Sequence, residues 1–109
     1  MQLKSGVRIA GIRPEMVLAI LIIERVFADH AVPLVLTSLM EGRHRRASLH
    51  YLGCAVDFRR HQADEKYKTE AVDRDLRAAL GGDFDVVLEP THWHVEFQPK
   101  TPINLTERS

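Results

Sequence analysis

The fold is decided by residues 84–97, which read Phe-Asp-Val-Val-Leu-Glu-Pro-Thr-His-Trp-His-Val-Glu-Phe. Runs of apolar and β-branched residues lie on either side of Pro90, and such runs are typical of strands. We therefore predict one strand at 84–88 and a second at 92–97. Because the connection between them is short, the two strands should pair antiparallel.

Alternate side chains of a strand face opposite sides of the sheet, which divides residues 92–97 into two sets. The set that begins with Trp93 is aromatic or aliphatic and suits a core. The other set is polar and consists of His92, His94 and Glu96. Two imidazoles on one face, roughly 6–7 Å apart along the backbone, suit either two ligands of one metal or one ligand beside a catalytic group. A lone pair of this kind is also common as an ordinary surface or core pair.

The rest of the chain predicts two helices and two more strands. Apolar residues at helical spacing indicate a helix from Pro14 to about Asp29, and proline suits its first turn. A second helix should begin at a Thr69 cap and end at a Gly-Gly pair. Short apolar runs predict strands at 33–38 and 51–58. This order predicts an α+β fold, a small antiparallel sheet with helices packed on it.

Length and composition indicate a single domain, residues 1–109, with a loosely ordered tail from about residue 99. Fifteen basic residues balance fifteen acidic ones, so no global charge favours a nucleic acid as partner. The basic cluster at 43–46 is short and has only Tyr51 as a nearby aromatic residue, which is a poor pattern for nucleic-acid binding. The single cysteine excludes an internal disulfide.

The first helix is apolar around most of its circumference. A helix of this kind is either deeply buried or packs against a second chain, so a homodimer through this helix is one expectation. Its most apolar run, Met16–Ile23, has eight residues. A bilayer span needs about 20, so this run is too short for one. No secretory signal is visible, so the chain is expected to be cytoplasmic as made.

A histidine and a carboxylate stand seven residues apart at His50 and Asp57. On a straight strand they would lie on opposite faces, about 23 Å apart, where one metal ion could not bind both. Gly53 lies between them and permits a bend. Together with one further histidine, they would make a catalytic zinc set of two histidines and one carboxylate, with water in the fourth position. A further carboxylate can take and return the proton of that water, and Glu89 is the best candidate, with Glu96 the weaker one.

These residues resemble the signature of a known enzyme family. The pattern Ser48-x-His50-x-x-Gly53-x-Ala55-x-Asp57, followed later by Glu-Pro-Thr-His-Trp-His at 89–94, is similar to that of the zinc D-alanyl-D-alanine carboxypeptidase and L-alanyl-D-glutamate endopeptidase family. That family shares its fold with the hedgehog signalling domain. The resemblance covers roughly residues 33–98 and implies a hedgehog/DD-peptidase fold for the chain.

The resemblance also implies a role for each matching residue. His50 and Asp57 would be zinc ligands, and His94 would be the third. Some members show a Glu-x-x-His spacing, which here would select Glu89 and His92 instead. His94 is preferred because the tryptophan before it and the apolar strand after it match better. His92 then lies beside the metal, where it can stabilise the oxyanion.

The substrate-binding residues that the resemblance implies lie in one segment. They are Arg43, His44, Arg46 and Ser48. The two arginines are candidates for holding a substrate carboxylate. The histidine resembles one that some relatives place at the rim of the site.

The function that the resemblance implies is a zinc-dependent peptidase that hydrolyses peptide bonds of bacterial peptidoglycan stem peptides. A small enzyme of this type without a signal peptide suggests a phage or prophage endolysin, released to the cell wall by another route. The alternative is a non-catalytic, zinc-stabilised binding module of the same fold, with the apolar first helix as its contact surface.

Overall fold

Two helices and five strands form an α+β fold in the computed structural model, which describes residues 1–39, 53–60, 63–64 and 66–99. The expected loose tail lies outside these residues from position 100 onward. The elements in chain order are β1 (Gln2–Leu3), α1 (Pro14–Asp29), β2 (Val35–Ser38), β3 (Ala55–Arg59), α2 (Lys66–Leu80), β4 (Phe84–Leu88) and β5 (His92–Phe97).

The strands form one mixed sheet in the order β1-β2-β3-β5-β4. The pairs β2–β3, β3–β5 and β5–β4 are antiparallel, and the predicted β4–β5 hairpin is confirmed with its predicted bounds. β1 instead pairs parallel with β2. The N–H of Gln2 donates to the carbonyl of Leu34 and the N–H of Lys4 to the carbonyl of Leu36, both at 2.8 Å. The expectation of a purely antiparallel sheet is therefore wrong at this edge. A strand of two residues is too short to show a period in the sequence.

α1 has its predicted bounds and covers one face of the sheet. The ring of Phe27 on α1 meets the rings of Phe58 on β3 and Trp93 on β5 edge-on, with centroids 5.5 and 5.6 Å apart. Phe58 and Trp93 also stack on each other at 5.6 Å. This aromatic cluster ties the two central strands to one another and to the helix.

The opposite side of α1 is exposed although it is apolar. Val17, Leu18 and Leu21 all lie open to solvent next to the buried stripe of the same helix. The homodimer expected through this helix stays a prediction. In the part of the chain that the structure describes, no helix is both long and apolar enough to cross a membrane.

α2 begins before its predicted cap. It runs from Lys66, so Thr69 lies inside the helix and donates its hydroxyl hydrogen bond to the carbonyl of Ala63. Because the helix begins three residues before Thr69, the expected capping role of Thr69 is wrong. Thr69 and its partner Ala63 are both buried. Asp73, one turn further on, accepts a hydrogen bond from the indole N–H of Trp93 at 3.0 Å and joins α2 to the sheet.

The chain bends at Gly53, just before β3 begins at Ala55. The φ angle of Gly53 is +75°, and its carbonyl accepts the N–H of Arg13 at 3.0 Å. A Cβ at this position would lie 2.5 Å from the carbonyl oxygen of Gly11. The positive φ and the close approach of the N-terminal segment both favour glycine here, whereas the predicted approach of His50 to Asp57 lies outside the described residues.

Candidate functional site

The polar residues of β3 and β5 lie on the face of the sheet opposite the aromatic core. Asp57 on β3 and His94 on β5 are directly opposite each other in the register. Nδ1 of His94 lies 2.6 Å from Oδ1 of Asp57, which is a short, charge-assisted hydrogen bond. Their neighbours Phe58 and Trp93 are buried on the other side, so the packing that holds the two strands together also fixes this pair.

Glu96 contacts the other nitrogen of the same ring. Its Oε1 accepts a hydrogen bond from Nε2 of His94 at 2.7 Å, and its Oε2 accepts one from Nε2 of Gln98 at 2.9 Å. An ionised carboxylate can only accept, so the two carboxylates together require a proton on both ring nitrogens. A continuous line of hydrogen bonds therefore runs from Asp57 through His94 and Glu96 to Gln98.

The two carboxylates stabilise the charged form of the imidazole. The hydrogen bond to Asp57 raises the pKa of His94 to about 8, and Glu96 adds to this increase, whereas partial burial acts in the opposite direction. In this arrangement His94 carries a positive charge at neutral pH. Binding of a metal ion would therefore require the ring to lose a proton.

His92 lies beside the same carboxylate but farther away. Its Nε2 is 4.0 Å from Oδ1 of Asp57, and its Nδ1 is 3.1 Å from the hydroxyl oxygen of Thr91. Asp57 is thus flanked by both histidines, with only His94 in hydrogen-bonding contact. The choice between them as a zinc ligand stays a prediction, and the shorter distance is that of His94.

The side chains of this polar face are partly exposed. The exposed fractions are 18% for Asp57, 21% for His94, 22% for Glu96 and 33% for His92. A ligand can therefore reach these groups without disturbing the core on the other side of the sheet.

Glu89 stands at the hairpin end of the same face. Its N–H donates to the carbonyl of His92 at 2.8 Å, which extends the β4–β5 ladder by one pair. Alternation along the two strands then puts the Glu89 side chain on the face of His92. Arg60 secures this turn by donating to the carbonyl of Glu89 at 2.9 Å and by pairing with Asp64 at 3.0 Å. Within the described residues, no ion pair joins the Glu89 carboxylate to His92 or His94.

The expected site residues divide into two groups. Asp57, Glu89, His92 and His94 share one face of the sheet. The others lie outside the described residues, and they are Arg43, His44, Arg46, Ser48 and His50. Among the residues that the structure does describe, no three His, Cys, Asp or Glu side chains are arranged to hold a metal ion. Zinc binding therefore stays a prediction that includes His50.

Sequence patterns missed part of this network. They indicated Glu96 only as a weaker base and assigned no role to Gln98 or Arg60. Alternation along β5 placed Glu96 on the face of His94, and the same period of two extended by one step would have reached Gln98, just beyond the strand. No local signal pointed to Arg60, since its partner Glu89 is distant in the sequence.

Comparison of the chain with protein-family models, with curated proteins and with solved structures found no match. The functional inference therefore rests on the sequence motif and on the geometry of the polar face.

Proposed function

We propose that this chain is a zinc-dependent peptidase that hydrolyses peptide bonds in bacterial peptidoglycan stem peptides. The observation that supports this best is the 2.6 Å contact between Asp57 and His94, which are 37 residues apart in the chain. The motif assigns these same two residues to one metal ion. The substrate class, and a phage or prophage endolysin as the biological setting, rest on the resemblance of the motif alone.

The described part of the centre has the donors that zinc prefers. Imidazole nitrogen and carboxylate oxygen are ordinary zinc ligands, and two histidines with one carboxylate form a normal catalytic set. Oδ1 of Asp57 and Nδ1 of His94 are in direct contact at 2.6 Å, so a shared zinc ion would have to displace the Nδ1 proton and move the two atoms to about 3.4 Å apart, the spacing of two ligands in a tetrahedral zinc site. The motif supplies His50 as the proposed third ligand.

When bound, zinc would lower the pKa of a water molecule and polarise a substrate carbonyl. The protein's own residues would manage the proton and the developing charge. Glu89 would accept the proton of the attacking water and return it to the leaving amine. His92, whose ring is oriented by Thr91 at 3.1 Å, would donate a hydrogen bond to the oxyanion. Arg43 and Arg46 are the proposed partners of a substrate carboxylate.

Cleavage of purified muropeptides, followed by chromatography, tests this proposal. Removal of zinc with a chelator is expected to abolish cleavage, and added zinc should restore it. His50→Ala should also abolish cleavage, and added zinc should not rescue this variant. Cleavage that survives chelation or His50→Ala would contradict the zinc mechanism.

A non-catalytic, zinc-stabilised binding module is the second candidate. It is favoured by the exposed apolar face of α1, where Val17, Leu18 and Leu21 suit contact with a partner. Glu89→Gln separates the two functions because it leaves the ligands and the sheet in place. In an enzyme this variant should lose turnover and keep its zinc content. An unaltered protein that binds zinc but cleaves no muropeptide would instead support the module.

A further inference from the structure

Both carboxylate oxygens of Glu96 are engaged in hydrogen bonds. Oε1 lies 2.7 Å from Nε2 of His94, and Oε2 accepts a hydrogen bond from the Gln98 amide at 2.9 Å. One partner, His94, lies two residues away on the same strand face, and the other, Gln98, follows directly after the end of β5. A carboxylate held on both oxygens is poorly suited to accept a proton from water, so Glu96 is not the general base.

We propose that Glu96 is a positioning residue that holds the His94 ring by Nε2 and thereby presents Nδ1 to the metal. This inference rests on the proposed zinc site and adds a supporting carboxylate to it. The role differs from that of Glu89, which the proposed mechanism assigns to proton transfer.

The chemistry of imidazole supports this assignment. A neutral imidazole has one protonated nitrogen and one nitrogen with a lone pair, and only the second can bind a metal. When the charged ring gives up one proton to bind a metal, the hydrogen bond to Glu96 keeps the other proton on Nε2 and leaves the lone pair on Nδ1. Nδ1 is the nitrogen that faces Oδ1 of Asp57 at 2.6 Å, the other proposed ligand in the described part of the site. The ring is therefore held in the tautomer and orientation that suit a shared ion.

Gln98 extends the same arrangement by one residue. Its amide nitrogen contacts the Glu96 oxygen that does not face His94. This contact limits rotation of the Glu96 carboxylate and keeps Oε1 directed at the ring. We expect Gln98→Ala to weaken zinc binding less than Glu96→Ala, because the carboxylate itself remains.

Zinc affinity, measured by competition with a chromophoric chelator, tests the proposal. Glu96→Ala is expected to bind zinc about 10- to 100-fold more weakly than the unaltered protein. The zinc affinity of Glu96→Gln, which keeps a neutral acceptor, should lie between those of Glu96→Ala and the unaltered protein. Glu70→Ala is the control, since it removes one exposed carboxylate from α2, outside the proposed site, and should leave zinc affinity unchanged. Circular dichroism of the metal-free variants shows whether each of them folds.

Nitrogen-15 NMR of the zinc-loaded protein supplies a readout that does not depend on activity. The unaltered protein should show His94 bound to zinc through Nδ1 and protonated on Nε2. Coordination through Nε2 would overturn the proposal, and so would equal zinc affinities of Glu96→Ala and Glu70→Ala. Tight zinc binding without muropeptide cleavage would refute the peptidase function and leave the role of Glu96 standing. A protein that binds no zinc would refute both.

Discussion

The two faces of β5 differ in what they contribute to the protein. Trp93 and Val95 are fully buried and join the strand to the helices. His94 and Glu96, each one residue further along, are partly exposed and hydrogen-bonded to each other. Because side chains alternate along a strand, one segment can carry stability on one face and chemistry on the other. Substitutions on the two faces should therefore change different properties.

His94→Ala should have the largest effect, and it should act on function. It removes a proposed ligand, so zinc-dependent muropeptide cleavage should disappear. The side chain is partly exposed and makes hydrogen bonds rather than core contacts, so the free energy of unfolding of the metal-free protein should fall by only about 1–2 kcal/mol. Cleavage assays and urea unfolding measure the two effects. Retained cleavage would contradict the assignment of this face to chemistry.

Trp93→Ala should have the largest effect on stability. It removes the ring that contacts both Phe27 and Phe58, and it removes the indole hydrogen bond to Asp73. We expect a loss of about 3–5 kcal/mol in the free energy of unfolding, measured with urea. Val87→Ala is the control, because Val87 is exposed and lies opposite His94 on the polar face. Val87→Ala should change the free energy of unfolding by no more than about 0.5 kcal/mol. Similar losses in both variants would contradict the assignment of stability to the buried face of β5.

Gly53→Ala tests how much the close approach of the chain at Gly53, just before β3, requires glycine for stability. Alanine would be strained at a φ of +75°, and its Cβ would meet the Gly11 carbonyl oxygen. We expect a loss of about 1–3 kcal/mol in urea unfolding. Gly81→Ala is a matched control, since its φ is +81° but nothing lies within 4 Å of the added atom. An equal loss in both variants would show that the close approach at Gly53 adds nothing.

Asp75→Asn should have the smallest effect, and it concerns the helical side of the sheet. The hydrogen bond from His30, at 2.7 Å, lowers the pKa of the Asp75 carboxyl. A lowered pKa in the folded state stabilises the protein above the unfolded value of about 4, and this contribution is lost as pH falls through the folded value. The small stability difference between Asp75→Asn and the unaltered protein at pH 6 should therefore shrink as the pH falls below about 4. Urea midpoints at several pH values measure it, and a constant difference would contradict the prediction.

The sequence by itself determined the elements that have a clear local period. α1 from Pro14 to Asp29 and both strands of the β4–β5 hairpin have their predicted bounds. The division of β5 into a core set and a polar set also follows from its period of two. The positive φ of Gly53 fits the bend predicted there, while the meeting of His50 with Asp57 stays a prediction. These features depend on neighbours in the chain, which a sequence shows directly.

The tertiary structure decided how distant groups meet. The motif implied that Asp57 and His94 lie close together, but the register of β3 on β5 that brings them opposite each other is contained in no local pattern. The parallel pairing of β1, the inward hydroxyl of Thr69 and the contact of Arg60 with the hairpin turn were likewise invisible in the sequence. Each depends on partners far apart in the chain. The physical reason is that periodicity specifies which face a side chain occupies, whereas packing of the whole core specifies what lies across from it.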